Sequence, residues 1–281
     1  MSGTTVSGAT VPNNFAGASG ATGVFNSFFM AGVPVTVLTG SGTSTANGPV
    51  VLASSDSAVT VSGSAVADES SGGNSITTLQ PSTVFAAPND TITSAAATTL
   101  FGASGGGVDV FSLSGANSSI TGGTGGIVGT ASGANTTLVG GTGISIFTVT
   151  GPNSLAVAGS AGITGINESG STGPETIATN PLGNSGTLVA ILGSGADTVL
   201  GGSGASTITA GSGSDVFAFI KGHADGSEVI IGFNGSDNLA FAGYGYTAAD
   251  LPTETVGSIG DVITLSDGTT ITLAGFDHKL F

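Results

Sequence analysis

The residues best placed to do chemistry in this chain are the aspartates of one glycine-rich stretch. Residues 192–218 read Leu-Gly-Ser-Gly-Ala-Asp-Thr-Val-Leu, Gly-Gly-Ser-Gly-Ala-Ser-Thr-Ile-Thr and Ala-Gly-Ser-Gly-Ser-Asp-Val-Phe-Ala, three nonapeptides in one frame. Each fits the pattern G-G-x-G-x-D-x-U-x, where U is a large apolar residue. Asp197 and Asp215 hold the acidic position, with Gly193, Gly195, Gly211 and Gly213 before them, and Ser206 stands where the middle repeat would carry an acid. Carboxylates combined with turn carbonyls are the oxygen donors that a hard divalent cation takes.

Positioning those oxygens requires a turn followed by a short strand. The glycines are expected to visit backbone conformations closed to residues with a Cβ. Val199, Ile208 and Phe217, the U residues, are expected to point inward. If two nonapeptides make one coil of a parallel β-roll, turns two repeats apart stack on the same side. Asp197 and Asp215 would then face each other across a cation-sized gap.

The stretch resembles the calcium-binding repeats of RTX (repeats-in-toxin) proteins, β-rolls exported from Gram-negative bacteria by type I secretion. The next segment is similar to the end of the roll in serralysin-like proteases: Asp215-Val-Phe-Ala-Phe, then Asp225-Gly-Ser-Glu-Val-Ile-Ile-Gly-Phe-Asn-Gly-Ser-Asp-Asn-Leu-Ala-Phe241. Residues 261–273 resemble the hairpin that often comes after it. The resemblance implies calcium at Asp197 and Asp215, with Asp225 and Asp237 as further ligands. Asp109, in Gly105-Gly-Gly-Val-Asp-Val-Phe, fits the motif upstream. It also implies a secreted protein whose uncleaved export signal lies in the carboxy-terminal segment through Phe281 and is read by the type I machinery.

Composition narrows the alternatives. The chain has 51 glycines among 281 residues, 39% hydrophobic residues and 7% charged ones, whereas disorder combines low hydrophobicity with high charge. Seventeen acidic residues stand against two lysines, a net charge of −15, so there is no basic footprint for nucleic acid or anionic membrane. No apolar run is long enough for a membrane span, and the absence of cysteine excludes thiolate metal sites. His-Glu-x-x-His, Gly-x-Ser-x-Gly and a phosphate-loop lysine are all missing. Glu168 and Glu175 could be drawn as an acid–base pair, as any acidic loop permits, so no enzymatic activity is expected.

Three segments are expected. Residues 1–49 are rich in Gly, Ala, Ser and Thr and read as a cap or an assembly arm, with Phe25, Phe28, Phe29 and Met30 as an apolar knot for intermolecular contact. Residues 50–241 read as a β-solenoid whose coil is two nonapeptides, about 18 residues, long. No coil frame is readable over 50–101. Gly115-Ala-Asn117 recurs as Gly133-Ala-Asn135 and Gly151-Pro-Asn153, each two nonapeptide lengths further on. The three asparagines are expected to stack in a column with amide-to-amide bonds and to tolerate a left-handed turn. Residues 163–186 break the period as a looped-out insertion or an irregular coil. Residues 242–281 read as a hairpin cap, with Asp267-Gly268 as a two-residue turn. The expected fold is thus an all-β, right-handed parallel β-roll. The expected function is a secreted, calcium-responsive structural subunit that polymerises with copies of itself. The alternative is an adhesin or ice-binding solenoid using outward threonine pairs such as Thr136/Thr137 and Thr207/Thr209.

Overall fold

A computed structural model describes residues 2–6, 31–179, 186–223 and 226–281. Every regular element among them is a strand of three to six residues. The cause is local: short β-branched or aromatic runs alternate in polarity and are cut by Gly, Ser, Asn and Asp, which close turns. In Val108–Leu113, for example, Phe111 and Leu113 are buried while Val108 and Val110 face outward.

The chain divides into two compact units, residues 1–137 and 138–281. Each is a parallel β-solenoid in which every coil gives one strand to each of two sheets. In the amino-terminal unit one sheet stacks Val35–Thr39, Val50–Leu52, Ala65–Asp68, Ser82–Phe85, Thr98–Phe101 and Ser119–Thr121. The other stacks Gly42–Ala46, Ser57–Val61, Ser75–Thr78, Thr91–Ser94, Val108–Leu113 and Gly126–Ala131. Val108 lies opposite Gly126, two nonapeptide lengths on, but Thr36 lies opposite Val50 and Ile76 opposite Ile92, offsets of 14 and 16. Coils therefore extend through 50–101, where shorter turns hide the period. Ser2–Val6 runs antiparallel to Val35–Thr39 and closes an edge that would otherwise offer unpaired backbone groups.

In the carboxy-terminal unit the two ladders are Leu155–Val157, Thr176–Ala178, Thr198–Leu200, Val216–Ile220 and Asn238–Ala242, and Ser145–Val149, Ile163–Asn167, Thr187–Ile191, Ala205–Thr209 and Ser227–Ile231. Residues 163–179 form an irregular coil rather than an insertion, since Ile163–Asn167 and Thr176–Ala178 both join the ladders. The offset is 18 between Thr198 and Val216 and widens to 22 between Thr176 and Thr198. Val199, Ile208 and Phe217 are buried, each contributing about 1.5–3 kcal/mol that a coil collects only when its neighbours stack on it.

The unit ends in a meander. Thr270–Ala274 pairs parallel with Ser227–Ile231, and Gly260–Thr264 and Thr253–Val256 add to it antiparallel. Its turn is not the expected two-residue Asp267-Gly268 hairpin. Residues 266–268 form a three-residue loop closed by Leu265 N to Thr269 O at 2.9 Å and Gly268 N to Leu265 O at 3.1 Å. A two-residue type I′ turn needs positive φ at both central positions, and here Gly268 alone has it, at 95°. Asp267 is held otherwise: its carboxylate accepts from Thr269 Oγ1 at 2.8 Å and from the Tyr244 hydroxyl at 2.6 Å.

The motif glycines also have a different purpose from the expected one. None of Gly193, Gly195, Gly211 and Gly213 lies in the left-handed region. The close approach of successive coils is what requires them. A Cβ on Gly211 would sit 1.7 Å from Gly193 O, and one on Gly213 would sit 1.6 Å from Gly195 O. Substitution G213A should therefore cost about 1–3 kcal/mol or more, as overpacking does. G235A, at an exposed turn with nothing within 4 Å of the added methyl, should stay within about 0.5 kcal/mol. Urea unfolding of both variants checks this, and equal effects would remove the close-approach explanation.

Candidate functional site

One row of corners in the carboxy-terminal unit gathers five of the seven acids buried in that unit among the described residues. Each corner leads from a strand of one ladder into a strand of the other, and its last residue stacks on the same position of the next coil: Ser154, Glu175, Asp197, Asp215 and Asp237. The acids hold the column together by a repeated bond. One carboxylate oxygen accepts the backbone N–H of the acid one coil earlier, and the other accepts an N–H of its own corner. Asp197 takes Glu175 N at 2.9 Å and Gly193 N at 3.3 Å. Asp215 takes Asp197 N at 3.0 Å and Gly211 N at 3.3 Å. Asp237 takes Asp215 N at 3.0 Å and Asn234 N at 2.9 Å. Asp197 and Asp215 thus stack in adjacent coils as turn caps. A calcium ion at this pair would share every carboxylate oxygen with a backbone donor. Burial raises the pKa of Asp215.

The first acidic corner differs. Residues 168–175 span two more positions than the corner at 192–197. Glu168 N donates to Ile191 O, Leu192 N to Thr209 O and Ala210 N to Ile231 O. Glu168 therefore occupies the place that a buried leucine and then an alanine hold in the following coils. It is fully buried, and neither of its carboxylate oxygens has a hydrogen-bond partner. Glu175 accepts from Ser171 Oγ at 2.6 Å with one oxygen, while its Oε2 has no partner. One oxygen each from Glu168, Glu175 and Asp197 lies within 4.8 Å of the others, and all three residues are buried. Burial, then the charges of Asp197, Glu175 and Asp215, pushes Glu168 up to about 9. Burial pushes Glu175 up to about 7 against the opposing Ser171 hydroxyl.

The remaining expected residues are dispersed. Asp109 caps a corner of the amino-terminal unit, accepting Ala103 N at 2.8 Å and Asp90 N at 3.2 Å. Asp90 and Asn74 continue that column in the same manner. Ser206 is on the opposite corner row, in register with Glu228 one coil later. Asp225, Phe25, Phe28, Phe29 and Met30 lie outside the described residues. Asn117, Asn135 and Asn153 have φ of 59°, 57° and 58°. Asn135 Nδ2 is 3.4 Å from Asn117 Oδ1 in the amino-terminal unit, and Asn153 belongs to the carboxy-terminal unit.

No protein-family model matches this chain, and no curated protein and no solved structure matches it significantly. No helix among the described residues is long and apolar enough to cross a membrane. Sequence reasoning set Glu168 and Glu175 aside as an ordinary acidic loop. The signal that could have singled them out is alignment of the long corner with the two regular corners after it, which sets Glu168 on Leu192.

This geometry gives two expected outcomes. At Asn135 the left-handed backbone should dominate, so N135A costs about 1–2 kcal/mol while N135G, which keeps the conformation but loses the amide, costs less; urea midpoints that rank the two the other way favour the side-chain bond. Glu228 supplies a pH test. Burial pushes it from 4.5 up to about 8, with the Gly202 amide opposing. Between those values the unfolded chain binds fewer protons than the folded one, so stability falls as pH rises, by about 1.4 kcal/mol per pH unit. E228Q should match the wild type near pH 4 and exceed it at pH 8. Unfolding curves across that range in chelator check the slope, and an unchanged slope contradicts the assignment.

Proposed function

We propose that this chain is a secreted structural protein of the bacterial exterior, calcium-responsive and self-assembling through a sheet face. The observation that carries this reading is the outward face of the ladder running from Ser145–Val149 to Ser227–Ile231. Ile146, Val189, Ile191 and Ile231 are each 42–45% exposed there. They alternate with Gly165, Thr207 and Thr209 in register, and no charged side chain interrupts the columns. An uncharged aliphatic sheet surface suits a second copy of itself, because burying it leaves no unpaired ion. Secretion is supported by the RTX resemblance of residues 192–273. The calcium response is supported by buried acids in a chain with two lysines and no arginine.

A second reading, an adhesin or ice-binding surface, is favoured by a different observation. The amino-terminal unit carries an outward hydroxyl column of Thr45, Thr60, Thr77, Thr93, Ser112 and Thr130 in unbroken register, at the inter-strand spacing of about 4.8 Å. The threonines named from sequence do not make such a surface. Thr136 is buried and donates to Gly133 O at 2.8 Å, and Thr207 and Thr209 stand between Val189/Ile191 and Val229/Ile231.

Light scattering with calcium should show large species for the wild type. V189D/I191D should form at least tenfold fewer of them with an unchanged circular dichroism spectrum. Assembly that survives the double substitution excludes this face. Monodisperse protein that restricts ice growth, and stops doing so as T60V/T77V/T93V, establishes the second reading instead.

A further inference from the structure

We propose that Glu168, Glu175 and Asp197 form a buried site for one hard divalent cation, calcium by donor chemistry, captured at the first acidic corner. The site gives the calcium response proposed above a location; it depends on that reading for the identity of the ion, not for the geometry.

Three facts carry it. First, the corner brings one oxygen of each acid within 4.8 Å of the others, out of contact with solvent. Second, Glu168 spends a core position, occupied by Leu192 one coil later, on a carboxylate with neither oxygen partnered. Folding alone gives no reason for that placement, because a buried polar group without a partner costs about 1–3 kcal/mol and a charged one more. Third, no lysine pairs with the group among the described residues. Neither lysine lies within ion-pair distance of a carboxylate among the described residues.

The donor set agrees with that ion. All the side-chain ligands are carboxylates, with no histidine or cysteine, which suits calcium and not zinc. Backbone oxygens are close by: the carbonyls of Glu168 and Ser171 crowd Gly193, where a Cβ would sit 2.7 and 2.5 Å from them. Calcium tolerates such a flexible, irregular oxygen set, while magnesium demands near-octahedral geometry and keeps its water. A surface groove of about 410 Å³ lined by Ser154, Pro174, Glu175 and Ala196 runs beside the corner and offers a way in.

This site differs from the pair of motif aspartates. Asp197, Asp215 and Asp237 each use both oxygens on backbone N–H groups, so an ion would share the Asp197 oxygen with a backbone donor. The free oxygens lie one coil earlier, on glutamates outside the nonapeptides, and Asp197 links the two sets.

The test is calcium titration by calorimetry and thermal melting of the full chain, comparing the wild type with E168Q/E175Q. The expected result is that calcium raises the wild-type melting temperature. The double variant should lose one bound ion or bind it at least tenfold more weakly, and melt in chelator no lower than the wild type. Should the amide variant fail to fold, E168L, which repeats what the next coil carries at this position, replaces it with the same readout. A variant that keeps the wild-type ion count and affinity overturns the site while the calcium response stands. A wild type that binds no calcium overturns both.

Discussion

The structure depends on a hydrogen bond that no coil can make alone. Where another acid follows in the column, the backbone N–H at the end of an acidic corner is satisfied by that carboxylate one coil further on, as Glu175 N is by Asp197 and Asp197 N by Asp215. Strand pairing fixes the coils about 4.8 Å apart, a distance that a short carboxylate spans while its second oxygen caps its own turn. Glycine follows from the same spacing, since the turns pack so closely that Gly193 O and Gly195 O touch the next coil's Cα region. Acid, glycine and coil height are thus one constraint expressed in three residue types.

Much of the fold was legible because that constraint writes itself into local sequence. Strands at Val50–Leu52, Thr98–Phe101 and Val108–Leu113 could be read from β-branched runs bounded by turn residues. The recurrence of Asn117 as Asn135, two nonapeptides on, gave the coil length. Coils before residue 107 were hidden by offsets that change from 14 to 20, because corners gain and lose residues without disturbing the strands. A fixed-period reading detects constancy, whereas the fold needs only that each strand find its neighbour.

The site was less legible. The nonapeptide pattern marks aspartates by position, and it located the column but not the state of its oxygens. Whether a carboxylate caps a turn or stands free is decided by which N–H groups the neighbouring coil presents, and that information lies a whole coil away in the chain. Glu228 illustrates the same point on the opposite corner row. There Ser145 and Thr164 accept amides from Gly141 and Gly159, the next positions are Leu188 and Ser206, and the acid returns only at Glu228. One place in the coil therefore accommodates a hydroxyl, a leucine or a carboxylate, and its chemistry is set by what stacks on it.

The acid column also has a direction, and that direction requires a terminus. Each aspartate carboxylate reaches back to the coil before it, so the last acid offers its own N–H to a coil that carries no further acid. In this chain Asp237 N bonds to Asn234 O within the same turn at 3.0 Å, and the Asn234 amide donates to the Asp237 carboxylate at 2.9 Å. The turn closes on itself, and the chain then covers the end of the core with aromatic contacts, Phe241 against Tyr244, Tyr246 and Phe281. At the other end of the column the residue before Glu175 is Ser154, whose hydroxyl donates to Gly151 O within its own corner. Glu175 therefore begins the run of acids without an earlier carboxylate on its outer side, and it is there, where the column starts, that its Oε2 and both oxygens of Glu168 are left unspent.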